Sequence, residues 1–253
     1  MGNGLIIFDI GGVFRDSSAA LQEGYRKGFE SAGIDYRFLA VDVWHLRGLG
    51  RYNDGRNGIR ALLAISEAKE DLSKILLMPD PEARIGELVR GYLYDSDEPE
   101  VEKIHSVYKD FFNSEAAREL IKTFPGSAKV VQDLRKSGYA LAMFSNSSKV
   151  TIQRDLSELG LDNFSAILSE EDVKRRKPSG EGIVKIMHEI HRMPNETYYV
   201  GDAVSDIIAA RDAGCMSVAV LSGMGLKEHL SRANPDLTFA SIAEMCDYFV
   251  NKE

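Results

Sequence analysis

Apolar residues run along the chain in two rhythms. At 5–8, 139–144, 166–168, 198–200 and 216–221 they form short unbroken runs, the pattern of strands buried on both faces of a parallel sheet. At 128–136, 150–159, 182–190 and 204–212 they recur at helical spacing, which predicts helices with one apolar face. Strand runs alternating with such helices argue for βαβ units and an α/β fold with a doubly wound parallel sheet.

Between about Ser18 and Ala116 the alternation stops, and polar, charged helices are predicted over 20–32, 54–68, 80–94 and 98–112. The simplest organisation is a helical domain over 18–116 inserted after the first strand. The core then comprises 1–17 and 117–253, and Phe124-Pro125-Gly126 marks re-entry into the sheet. An insertion placed just after a strand's carboxyl end sits over the crevice where open α/β sheets bind ligands, so a lid is expected.

Four predicted strand ends carry chemistry: Asp9 to Val13, Ser145-Asn146-Ser147, Lys177-Pro178, and Gly201-Asp202 with Asp206. The carboxyl ends of all strands in a parallel sheet share one edge, so these groups can converge there. Together they offer a carboxylate, a hydroxyl, a cation and two further carboxylates. That set suits phosphoryl transfer assisted by an oxygen-ligated divalent metal such as Mg²⁺. Singly each cluster is weak: an Asp after a strand is often a helix cap, and Lys177 could be one solvated lysine in the run Lys174 to Lys177.

Composition narrows the function classes. There are 253 residues, 44% of them apolar, enough for one substantial core and a smaller second one. With 31 basic against 39 acidic residues the formal charge is −8, which disfavours nucleic acid and anionic membranes as partners. No apolar run reaches the roughly 18 residues of a membrane span, and Cys215 and Cys246 lack metal-ligand spacing and read as buried thiols. A reducing cytoplasm fits best. Oligomeric state is not legible.

In order and spacing the clusters resemble the four motifs of the haloacid dehalogenase superfamily: FDIGGVFRDS the first, MFSNSS the second, KRRKPSGEG the third and YYVGDAVSDIIAARDAG the fourth. The resemblance covers about 1–17 and 120–235 and implies a Rossmann-like core. The helical insertion sits where a cap domain sits in the phosphoglycolate phosphatase and β-phosphoglucomutase subgroup. It further implies a Mg²⁺-dependent hydrolase of a small phosphorylated metabolite, with Asp9 attacking phosphorus to form an aspartyl-phosphate. Ser145 and Asn146 would bind phosphate oxygens beside the Gly11-Gly12 turn, and Lys177 would neutralise the nucleophile and the transferring group. Asp9, Asp202, the Gly11 carbonyl and Asp206 would hold the metal or its waters.

One position departs from that pattern. The residue two after the nucleophile is usually a second aspartate, the general acid and base, and here it is Gly11. Losing such a group costs on the order of 10² to 10⁴ in rate. The chain is then either a phosphatase that uses another acid or a leaving group needing little protonation, or a phosphometabolite-binding protein that has lost turnover. Asp16 is one candidate substitute, although capping of the next helix with Ser17 is the simpler role. Phosphonate-cleaving relatives also have a small residue here but need a cap lysine for a Schiff base; the corresponding place holds Arg51, whose guanidinium cannot form that imine.

The stretch Arg47-Gly48-Leu49-Gly50-Arg51 resembles the cap's substrate-specificity loop. Arg47 and Arg51 would there meet the anionic or hydroxylated end of the substrate, or else simply solvate a loop. Trp44 suits the core of the insertion, and His188 and His191 suit a surface.

Overall fold

The computed structural model describes residues 3–161 and 163–251; Met1, Gly2, Lys252 and Glu253, at the ends of the expected core, lie outside the described residues. The strands are β1 (Leu5–Phe8), β2 (Arg15–Asp16), β3 (Lys122–Thr123), β4 (Ala140–Phe144), β5 (Ala166–Leu168), β6 (Thr197–Gly201), β7 (Met216–Val220) and β8 (Leu237–Phe239). Six of them form one parallel sheet in the order β5-β4-β1-β6-β7-β8. The expected α/β doubly wound sheet is therefore present. Strand β1 is its pivot, because the chain builds outward from β1 through β4 to β5 and then returns to β6 on the other side.

The unbroken apolar runs have a simple cause. In β1, Ile6 and Phe8 face the helices Ser127–Lys136, Lys149–Glu158 and Ile242–Val250, where Val130, Leu134, Ile152 and Phe249 complete the packing. Leu5 and Ile7 point the other way and meet Ile183, Ile186, Ala209 and Ala210 from helices Glu181–Ile190 and Val204–Asp212. With helices on both faces, neither set of alternate side chains meets water, so no polar alternation survives. Cys215 and Cys246 are both buried free thiols, and burial pushes their pKa values up to about 12 and about 11, leaving the reactive thiolate scarce.

The chain divides into two compact units, Met1–Asp16 with Thr123–Glu253, and Ser17–Lys122. The second boundary corrects the sequence-based one at 117. Helix Glu115–Leu120 buries Ala117 completely and packs with helices Ser18–Ala32 and Glu98–Phe112, so its apolar face belongs to the helical unit. That unit also contains Ala40–Gly48, Gly55–Glu67, Leu72–Leu76 and Pro81–Tyr92. Its longest helices come together at Gly28, where a Cβ would lie 2.8 Å from the Ile104 carbonyl oxygen. Trp44 is buried within the unit. Ser17 occupies the N-cap of Ser18–Ala32, but its side chain makes no capping hydrogen bond, which corrects the capping role expected of it. His188 and His191 are exposed, at the end of Glu181–Ile190 and at its left-handed cap. Among the described residues, no helix is long and apolar enough to cross a membrane.

One buried ion pair braces the turn that follows β1. The Arg15 guanidinium pairs with Asp155 on helix Lys149–Glu158, the side chains being 7% and 1% exposed, and Arg154 adds a second contact to Asp155 at 3.3 Å. Removing one partner of such a pair leaves an uncompensated buried charge. Asp155→Asn should accordingly lower unfolding stability in urea by about 3 kcal/mol; a loss under about 0.5 kcal/mol would show that the pair carries little.

Candidate active site

Strands β4, β1 and β6 are adjacent, and the residues directly after them are Ser145, Asp9 and Asp202. The parallel register fixes their convergence: Phe8 lies opposite Met143 and Val200, and the Asp9 N–H donates to the Val200 carbonyl at 2.9 Å. The site thus sits where the strand order reverses, the place at which open α/β sheets form a crevice.

Asp9, Asp202 and Asp206 each offer a carboxylate oxygen within 4.8 Å of the others, and all three are buried. Lys177 enters from the loop before helix Glu181–Ile190. Its Nζ lies 2.7 Å from Asp206 Oδ1 and 3.0 Å from Asp9 Oδ1. It also lies 5.6 Å and 5.9 Å from the ring centroids of Tyr199 and Phe144, within reach of cation–π attraction. Burial acts to lower the Lys177 pKa, but the carboxylates of Asp206 and Asp9 outweigh it and hold the ammonium well above its usual value. Burial, reinforced by the charges of Asp206 and Asp9, raises the Asp202 pKa well above the carboxylate range. Burial likewise raises that of Asp206, against the pull of Lys177.

Two of the acids, Asp206 and Asp202, are held by backbone. Asp206 Oδ2 accepts from the N–H groups of Asp202 and Ala203, at 3.1 and 3.0 Å, closing the first turn of helix Val204–Asp212. Asp202 Oδ2 accepts from Met224 N–H at 2.6 Å, and the Asp202 carbonyl receives Gly225 N–H at 2.9 Å. Ser222 Oγ donates to the Gly12 carbonyl at 3.0 Å. The segment Ser222-Gly223-Met224-Gly225 is therefore part of the site, and the sequence reading missed it. Its signal was two glycines straight after an apolar run: a Cβ on Gly223 would lie 2.0 Å from Asp202 Oδ2.

Asn146 braces the lysine. Its Oδ1 accepts from Lys177 N–H at 3.0 Å and its Nδ2 donates to the Lys177 carbonyl at 3.2 Å, so both ends of the amide fix the lysine's backbone. Ser145 is buried, with its hydroxyl 3.4 Å from Ser147 Oγ. The two arginines belong to the helical unit. Arg47 ends helix Ala40–Gly48 rather than lying in a loop. Its guanidinium donates to Tyr25 Oη at 2.8 Å and to Asn53 Oδ1 at 3.0 and 3.3 Å, which engages three of its five N–H groups inside the unit. Arg51 begins the short turn Arg51–Asn53 and is exposed.

Buried acids gathered round one lysine at the pivot of a parallel sheet define a doubly wound α/β enzyme with an all-oxygen site. The particular family is the haloacid dehalogenase-like hydrolases, to which the chain belongs: the model of that family matches residues 81–220, more than half the chain. A phosphoglycolate phosphatase from Salmonella typhimurium is 29% identical over 248 residues, covering 95% of this chain and 90% of its own. A pyrophosphatase, PpaX, from Bacillus mycoides is 28% identical over 150 residues, covering 59% of this chain and 69% of its own. Among solved structures, a phosphoglycolate phosphatase candidate from Lactobacillus delbrueckii subsp. bulgaricus covers the whole of both chains with a TM-score of 0.79 at 23% identity. A hydrolase from Pseudomonas syringae covers 97% of both at 0.67 and 19%. These two likenesses are of fold.

The adjacent glycines of the first turn should differ in their response to a methyl group. Gly12 has φ +69°, and a Cβ there would lie 1.9 Å from Asp202 Oδ2; at Gly11 a Cβ would meet nothing within 4 Å. Gly12→Ala should cost about 1–3 kcal/mol for the left-handed backbone alone, and more as Asp202 is displaced. Gly11→Ala should stay within about 0.5 kcal/mol of wild type. Denaturant unfolding of the two variants checks this, and equal losses would contradict the geometry.

Proposed function

We propose that the protein is a Mg²⁺-dependent phosphatase of a small phosphorylated metabolite, with Asp9 as the nucleophile. The observation that carries the reading is the clustering of Asp9 with Lys177, Asp202 and Asp206 in one buried site. Phosphatases and a pyrophosphatase among the relatives support the same chemistry.

The residues present fit a hard divalent cation. Three carboxylates against one ammonium leave a formal charge of −2 (−3 + 1) in a buried space. Asp202 Oδ1 and Asp9 Oδ1 are buried without a hydrogen-bond partner, the latter close to Lys177 but not aligned with it. An all-oxygen donor set suits Mg²⁺. Asp9, Asp202 and the Gly11 carbonyl would hold it, with Asp206 supporting the metal or its waters. When bound, such a cation neutralises phosphate charge.

The chain's own residues supply the rest. Asp9 attacks phosphorus in line with the departing oxygen and becomes an aspartyl-phosphate, which water then cleaves. Lys177 keeps its charge across the neutral range, orients Asp9 and balances the transferring phosphoryl group. The Ser145 hydroxyl and the backbone N–H groups of the first turn donate to phosphoryl oxygens. Asn146 acts at one remove by fixing Lys177. The helical unit, inserted in the chain between β2 and β3, is assigned the role of a cap. Two buried free thiols suit a reducing cytoplasm.

Phosphate release from a panel of phosphate esters and anhydrides tests the reading. Turnover should require Mg²⁺, disappear with chelator and fall at least roughly 10³-fold in Asp9→Asn; unchanged turnover in Asp9→Asn would refute the nucleophile. Independently of activity, Mg²⁺ at about a hundred times its Kd should stabilise wild type by roughly 2.7 kcal/mol in thermal unfolding. Asp202→Asn should abolish that shift, and a shift of equal size in the variant would remove Asp202 from the metal site.

A further inference from the structure

The first turn shows a vacancy of chemistry rather than of atoms. Gly11 has no side chain, a Cβ there would meet nothing within 4 Å, and its φ lies outside the left-handed region. The position lies two residues after Asp9.

The ionisable groups of the cluster are already committed. Asp9 is the attacking group. Asp206 spends one oxygen on Lys177 and the other on two backbone N–H groups. Asp202 spends one oxygen on Met224 N–H and presents the other where a cation would sit. Lys177 is clasped between two carboxylates. Of the hydroxyls beside these groups, that of Tyr199 donates to the Phe144 carbonyl at 2.9 Å, and those of Ser145 and Ser147, 3.4 Å apart, are far too weakly acidic to give up a proton near neutral pH. No histidine belongs to the cluster among the described residues.

Resting on the phosphatase reading, we infer that the departing oxygen leaves unprotonated, so that the substrates are phosphoanhydrides or acyl phosphates, whose leaving groups are stable anions. Asp9 Oδ forms the bond to phosphorus as the bridging P–O bond breaks, and that electron pair stays on the leaving oxygen. Water then attacks the aspartyl-phosphate; the bond to Asp9 breaks, its electron pair returns to the carboxylate, and the proton of the water passes to a phosphoryl oxygen. The sum is ROPO₃²⁻ + H₂O → RO⁻ + H₂PO₄⁻, with no external acid consumed. An alkyl ester would forgo the 10²- to 10⁴-fold, roughly, that a placed acid contributes, whereas an anhydride forgoes almost nothing. The water in the second step also lacks a placed base, so the aspartyl-phosphate should accumulate during turnover.

The test is a series of substituted phenyl phosphates of one shape and graded leaving-group acidity, with acetyl phosphate, pyrophosphate and glycerol 3-phosphate, assayed with Mg²⁺ on the full chain. Because kcat/KM reads the steps up to aspartyl-phosphate formation, it should fall steeply as the leaving group becomes more basic, by at least about 10² between acetyl phosphate and glycerol 3-phosphate. Gly11→Asp should flatten the series by a selective gain on the basic leaving groups. Intact mass after acid quench should show phosphorylated chain prominent in wild type and scarce in that variant. A flat series in wild type would overturn the inference, and so would one that turns steep only in Asp16→Asn, which would make Asp16 the acid. Should Gly11→Asp fail to fold, the wild-type slope alone decides. No turnover on any compound, acetyl phosphate included, would remove the phosphatase reading and this inference with it; turnover with a flat series would remove the inference alone.

Discussion

Burying three carboxylates beside a single ammonium is the constraint around which the core unit is organised. Like charges in a low-dielectric space repel, and each ionised carboxylate forfeits its hydration. The structure meets this partly with Lys177, 2.7 and 3.0 Å from two of the acids, and partly with backbone N–H donors from Asp202, Ala203 and Met224. A formal deficit of positive charge remains, in a buried group of three carboxylates that could hold a metal ion.

Glycine is what lets the acids come so close to backbone. Gly12, Gly201, Gly223 and Gly225 all stand where a Cβ would intrude within 2.3 Å of Asp202 or Asp206. Three separate strand ends contribute them, so the packing of one acid couples the turns after β1, β6 and β7. Gly11 is the exception, a glycine that no contact requires. Its openness leaves the turn without a side chain at that position, a Cβ there meeting nothing within 4 Å.

The layout of the sheet was legible in sequence because strands buried on both faces read as unbroken apolar runs, and the residues after Phe8, Phe144 and Gly201 announced the site. Less legible were features that depend on tertiary contact. Strand β8, Leu237–Phe239, is a three-residue edge strand with a polar, exposed centre, too short for a pattern. The boundary at 117 was misplaced because Ala117 looks no different from a sheet-side alanine until its helix is seen to pack within the helical unit. Asn146 and Arg47 were placed near substrate by the resemblance of their motifs; their hydrogen bonds to the Lys177 backbone and to Tyr25 and Asn53 are set by neighbours 31, 22 and 6 positions away, which spacing does not reveal. The loop Ser222 to Gly225 carries no side-chain chemistry of its own, only N–H groups and room.

The proposed chemistry requires Asp9 to be the phosphoryl acceptor with a cation against Asp202. A crystal structure grown with Mg²⁺ and beryllium fluoride, a mimic of a phosphoryl group on a carboxylate, examines both at once. The prediction is a trifluoroberyllate joined to an Asp9 oxygen, its fluorines facing Lys177 and Ser145, with the cation bound by Asp9 and Asp202. A bare Asp9 carboxylate, with the fluoride complex or the cation held elsewhere, would contradict it.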